Sequence, residues 1–262
     1  MKLKNLGLTE NQTIFAMKKI FIIGAQRSGT TFLNQALSLH PSIIGINDDS
    51  KEPKTFMGDE WPSSESLYES KHQLKMFKDA DYCLEKSTSY YENWYAGKRI
   101  KDSIPDSKVI FIARNPYERM KSNYKFSKKN KIENLNLEDA LIQTDREYNT
   151  SVNPYNYITR SLYSSHLIYW KDLFKDNLKI ILFESLVDSN DEILENIFSW
   201  LDISFNDDLL KSISKIDFFN STETINLNQD YGSLDNSLKY LFERERDEME
   251  KLIGEPINCW NF

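Results

Sequence analysis

Cysteine is scarce in this chain, and stretches of membrane-spanning length are absent. Two cysteines in 262 residues, Cys83 and Cys259, exclude a disulfide framework and a cysteine-built metal cluster. Cys83 falls in a strand-like stretch, where packing is its expected role. The first 17 residues are polar, with no apolar core of signal-peptide type, and no later run approaches the length a membrane crossing needs. A reducing, cytoplasmic location is therefore expected. Positive charge is also in deficit: 33 Lys and Arg stand against 40 Asp and Glu, a net charge of −7. That balance argues against a general nucleic-acid binder. With 40% hydrophobic and 13% aromatic residues, and no linker to divide it, the chain is expected to form one sizeable core.

The densest signal is Lys19 to Thr31, KIFIIGAQRSGTT, running on into FLNQALSLHP. Ile20 to Ile23 is an unbroken apolar run, the mark of a strand buried on both faces. Gly24 and Gly29 bracket a tight turn, and Thr30 to Leu39 has helical character. Strand, glycine-bounded loop and helix make a phosphate cradle, in which loop N–H groups and the positive end of the helix dipole converge on one anion. The loop nearly matches GxxxxGK[ST], but Thr30 stands where that motif has lysine, and the nearest cation is Arg27 inside the loop. The best second strand, Lys108 to Ala113, ends in Arg114 rather than a metal-binding Asp. A cation there repels a metal and attracts another phosphate. After it, Asn115 can cap a helix, Pro116 suits the first position, and Glu118 fits a capping box. Ser122 lies about two turns on, so that Arg114 and Ser122 could hold one terminal phosphate from two sides. Read alone, the pair also fits a salt-bridged, capped helix.

GAQRSGTTFLNQALSLHP and RNPYERMKSNY resemble the 5′-phosphosulfate loop and the 3′-phosphate site of PAPS-dependent sulfotransferases. KEPKTF (Lys51 to Phe56), LEKSTSYY (Leu84 to Tyr91) and RSLYSSHLIYWKDLF (Arg160 to Phe174) narrow the resemblance to the heparan sulfate sulfotransferase branch and its bacterial relatives. The five motifs occur in that branch's order, over about Lys18 to the C-terminus.

The resemblance implies a nucleotide-binding transferase that uses PAPS as co-substrate and no metal. Residues Gln26, Arg27, Ser28, Gly29, Thr30 and Thr31 would receive the 5′-phosphosulfate, and Arg114 with Ser122 the 3′-phosphate. Glu52 falls on the family's catalytic glutamate and would take the acceptor's proton; its bland reading is a solvated loop glutamate. Lys86 resembles the lysine near the bridging oxygen, and with Arg27 would stabilise charge on the departing phosphate; its bland reading is a surface ion pair. The proline that the family usually has after the Ser/Thr of this motif is absent here (Thr88-Ser89). The cytosolic small-molecule branch uses a histidine base, yet His40, His72 and His166 lie in no matching motif. Arg160 could reach toward the nucleotide. FNSTETINLNQDYG lies where the family covers the adenine, and lacks the usual cysteine pair and basic residues.

The expected fold is α/β: a P-loop-type open sheet of about five mainly parallel strands flanked by helices, in a single domain spanning 18–262 behind a mobile arm at 1–17. The strands are Ile20 to Ile23, Ile43 to Ile46, Asp81 to Ser87, Lys108 to Ala113 and Leu178 to Phe183. Helices are expected over Ser64 to Phe77, over Tyr155 to Phe174 with Leu162, His166, Tyr169 and Leu173 on one face, and over Leu234 to Ile253. His166 thus reads as a core histidine. Lys125 to Lys131 reads as a solvated helix end or as a patch guiding an anionic substrate. The acceptor, a glycan or a small molecule, is not specified. Two rival readings are a P-loop kinase of a small metabolite and a non-catalytic nucleotide-binding protein.

Overall fold

The computed structural model of the protein describes residues 17–46, 52–77, 79–216 and 233–262. In order, the first half comprises β1 (Lys18–Gly24), α1 (Thr30–Ser38), β2 (Ile43–Gly45), α2 (Glu65–Lys71), β3 (Tyr82–Lys86), α3 (Trp94–Ser103), β4 (Lys108–Ala113) and α4 (Pro116–Lys129). Then follow α5 (Leu137–Ile142), α6 (Ser164–Phe174), β5 (Leu178–Leu182), α7 (Phe183–Asp188), α8 (Asn190–Trp200), α9 (Asp207–Ile213) and α10 (Ser233–Ile253). Residues 1–16 of the N-terminal arm, Lys51 and the FNSTETINLNQDYG stretch lie outside the described residues.

All five strands pair in parallel, in the order β2-β3-β1-β4-β5. The apolar run of β1 explains its central place. Ile20 and Ile22 pack with Leu84, Ile110, Phe32 and Leu33 on one face, while Phe21 and Ile23 pack with Val109, Phe111 and Trp170 on the other. Each of these four β1 side chains is fully buried, a contribution of roughly 1.5–3 kcal/mol apiece. The strands diverge to either side of β1, so the crevice at the carboxyl ends of β3, β1 and β4 is the topological switch point, where ligands bind in such sheets.

Lys19, at the head of the run, is buried as well. Its Nζ contacts Glu65 and Glu69 of α2, each at 2.6 Å, and the Met17 carbonyl. Two carboxylates compensate the charge and tie α2 to the central strand.

Three helices depart from expectation. The Ser64–Phe77 segment begins where Ser64 Oγ accepts from Leu67 N–H, but α2 stops at Lys71; Gln73 turns at φ 53° into a short 3₁₀ turn, Leu74–Met76. Asn115 caps α4 by accepting from the N–H groups of Tyr117 and Glu118, yet no capping box forms. Glu184 takes the Asn115 N–H at 2.8 Å, and Glu118 pairs with Lys121. The segment Tyr155 to Phe174 is not one helix: a 3₁₀ turn spans Thr159–Ser161 and α6 starts only at Ser164. Distant side chains decide this break. Glu92 holds Arg160, Arg119 holds Ser161, and Glu245 accepts from both the N–H and Oγ of Ser164. The fully buried face of α6 is accordingly Ser164, Leu167, Trp170 and Phe174. His166 sits beside it, half-buried and edge-on to Tyr91. The basic run ends α4, where Lys128 Nζ donates to the carbonyls of Asn134 and Leu135.

Candidate functional site

The loop between β1 and α1 opens on the switch point. Arg27 and Gly29 both adopt positive φ, 73° and 80°. Gly29 is the N-cap of α1 and offers no capping side chain, and the first turn contains no acid. The first helical bond runs from Leu33 N–H to Gly29 O, 3.1 Å, which leaves the N–H groups of Thr30 and Thr31 without an acceptor in the helix. Ser28 Oγ is fully buried with no hydrogen-bond partner among the described residues. Thr30 is buried and Thr31 exposed. A bare helix start of this kind is an anion site.

Arg27 joins the two segments that the sequence presents as separate sites. Its Nε donates to Ser122 Oγ of α4 at 3.2 Å, and its own carbonyl accepts from Arg114 Nη1 at 3.0 Å. Its guanidinium also lies over the Phe126 ring, and that of Arg114 over Phe183. Behind them stands Arg119, fully buried, donating Nε to Gln26 O at 3.1 Å and Nη1 to Ser161 Oγ at 3.1 Å, with Nη2 unpartnered among the described residues. These hydrogen bonds end on carbonyl and hydroxyl oxygens, so no carboxylate in them cancels the three charges. Burial lowers the pKa of Arg27, and the charges of Arg114 and Arg119 lower it further. The donor set suits phosphoryl groups: bare amides, a buried hydroxyl and concentrated guanidinium charge.

One strand over, Ser87 N–H donates to Ile22 O at 3.0 Å, which places the mouth of β3 beside the end of β1. There Lys86 Nζ lies 3.4 Å from Glu52 Oε1. The same carboxylate accepts from Thr88 N–H at 3.0 Å and from Thr88 Oγ1 at 2.8 Å. Lys86 therefore faces Glu52, and Glu52 is held by three donors. Arg160 is paired with Glu92 at 2.9 Å and buried; burial opposes its charge, but Glu92 outweighs it and raises the pKa, with Glu52 adding to the same effect. On the outer rim Lys54 Nζ donates to Ser151 Oγ at 2.7 Å.

The sulfotransferase domain profile matches residues 17–245. The chain belongs to the sulfotransferase family. Over 119 residues this sulfotransferase is 30% identical to the bifunctional heparan sulfate N-deacetylase/N-sulfotransferase 4 of Mus musculus, a match covering 44% of this chain and 14% of the mouse protein. The matched stretch is thus about one seventh of that relative's length. A sulfotransferase from Alicyclobacillus acidocaldarius superposes with a TM-score of 0.68 at 20% identity, covering 93% of this chain and 98% of the other. Mouse SULT7A1 complexed with PAP aligns with a TM-score of 0.52 at 15% identity over 93% and 86% of the two chains. These two likenesses are of fold.

Two further residues of the candidate site carry little signal of a role in the sequence. Arg119 sits inside RNPYERMKSNY, but nothing local distinguishes it from an ordinary helix arginine. Thr88 stands beside the point where the resemblance implies a proline, and a proline could donate neither of the two hydrogen bonds that Thr88 gives Glu52. Among the described residues, no three His, Cys, Asp or Glu side chains are grouped to hold a metal ion, and no helix is long and apolar enough to cross a membrane.

Proposed function

We propose that this sulfotransferase transfers a sulfuryl group from PAPS to a hydroxyl or amine of a glycan or small-metabolite acceptor, with Glu52 as general base. The observation that carries the reading is the Glu52 carboxylate, gripped by Thr88 and facing Lys86 beside the phosphate loop. Residues 26–31 receive the 5′-phosphosulfate, and Arg114 with Ser122 the 3′-phosphate. The acceptor's oxygen or nitrogen attacks sulfur in line as the bond from sulfur to the bridging oxygen breaks. The acceptor's proton passes to Glu52. The electron pair stays on adenosine 3′,5′-bisphosphate (PAP), where Lys86 and Arg27 stabilise the added charge. Positioning and electrostatics perform the step, and no covalent enzyme intermediate is needed.

The heparan sulfate N-sulfotransferase relatives favour a glycan acceptor, while the chain's net charge of −7 weighs against a long polyanion. Incubation of the protein with ³⁵S-labelled PAPS and fractionated host extract separates the two: label enters high-mass glycan or small molecules. No incorporation into any fraction would contradict sulfuryl transfer. Glu52→Gln is expected to lower transfer by about 10²–10⁴ with PAP affinity unchanged; normal transfer by that variant would overturn the base assignment.

A further inference from the structure

Next to Lys86 in β3 lies Glu85, on the opposite face of the sheet and fully buried. Four donors surround its carboxylate. Tyr68 OH reaches Oε2 at 3.1 Å; Ser87 Oγ at 3.0 Å, Thr55 N–H at 3.4 Å and Tyr90 OH all reach Oε1. Two of those hydroxyls pass the connection onward. Ser87 Oγ accepts from Lys54 N–H at 2.9 Å, and Tyr90 OH accepts from Phe56 N–H at 3.0 Å. The amides of Lys54, Thr55 and Phe56 are consecutive, and Pro53 before them has none. Every backbone N–H between Glu52 and Met57 thus ends on Glu85, directly or through one hydroxyl.

Packing closes the cage. Phe56 stacks on Tyr68 with centroids 5.8 Å apart, and Phe21 meets both rings edge-on at 5.9 and 5.8 Å. Burial pushes the Glu85 carboxyl up, against the pull of its hydrogen bonds. Burying a carboxylate is costly unless hydrogen bonds compensate it. An acceptor-only group that collects four donors has a narrower use: it fixes a backbone.

We infer that Glu85 is a positioning residue that sets the general-base loop, so that the Glu52 carboxylate meets Thr88, Lys86 and the acceptor. The inference rests on the reading of Glu52 as base. Glu85 touches no substrate in it and acts through the loop alone.

The test combines hydrogen exchange, nucleotide binding and a double-mutant cycle on the full chain. Glu85→Gln keeps the shape and removes the charge. It is expected to speed exchange at the amides of residues 54–56, leave PAP affinity within about twofold, and slow transfer to the acceptor on which the parent is active by about 10- to 100-fold. The double variant Glu52→Gln/Glu85→Gln is expected to be no slower than Glu52→Gln alone, because a base that is gone cannot be misplaced. Unchanged exchange at 54–56, a parallel loss of PAP affinity, or a double variant slowed by the product of the two single losses would each overturn the inference. If Glu85→Gln does not fold, Tyr90→Phe, which removes one of the four donors to Glu85 and with it the Phe56 link, is judged by the same readouts. Normal transfer by Glu52→Gln would instead sink the base assignment, while the exchange result would still report on the loop.

Discussion

At Glu52, the Thr88 N–H, the Thr88 hydroxyl and the Lys86 ammonium converge on one carboxylate. Removing the hydroxyl alone, in Thr88→Val, leaves the amide contact and is expected to lower the transfer rate by about tenfold, the worth of one hydrogen bond to a charged group. Lys86→Met is expected to lose about 10²–10³ in rate at saturating PAPS, because charge growing on the departing phosphate loses a preorganised donor. Initial-rate measurements check both, and a Lys86→Met enzyme with parental turnover would remove that residue from the chemistry. His72 supplies a pH test. Burial lowers its pKa to about 4, with Lys71 acting in the same direction, whereas the unfolded imidazole titrates near 6.5. Between those values the unfolded chain binds more protons, so stability is expected to fall as pH drops through that window. Thermal melts from pH 7.5 downward should show the decline, and His72→Gln should flatten it.

At the scale of elements, the loop geometry makes Gly29 the sensitive position. Its φ is 80°, and an added Cβ would stand 3.1 Å from the Phe183 ring. Gly29→Ala is expected to destabilise the fold by roughly 1–3 kcal/mol and to weaken PAP binding; chemical denaturation and calorimetry measure the two losses. The strands were legible because each carries a short apolar stretch, unbroken and buried on both faces in β1 and β4, and such a run needs no distant partner to declare itself. The candidate loop after β1 and the Arg114–Ser122 segment stand out in the sequence because each is contiguous. What escaped depends on side chains far away in sequence. The late start of α6 is imposed by Glu92, Arg119 and Glu245, and an apolar pattern over Tyr155–Phe174 contains none of them. The missing capping box at Asn115 reflects Glu184, 69 residues on, taking the amide that Glu118 would have held. Glu85 reads in the sequence as one acid in a strand; its meaning arrives with Tyr68, Ser87 and Tyr90.

For the whole molecule, the acidic total and the cationic crevice belong together. A net charge of −7 coexists with Arg27, Arg114 and Arg119 gathered at the switch point, so charge is segregated where an anionic nucleotide would enter. PAP affinity is therefore expected to fall as ionic strength rises and to be indifferent to chelation of magnesium by EDTA. In the proposed function, one crevice grips both phosphorylated ends of an adenine nucleotide through this chain's own donors. A crystal structure of the protein with PAP tests it most directly. The 5′-phosphate is expected within hydrogen-bonding distance of the N–H groups at residues 28–31, and the 3′-phosphate against Arg114 and Ser122. A nucleotide whose phosphates lie away from both groups would contradict it.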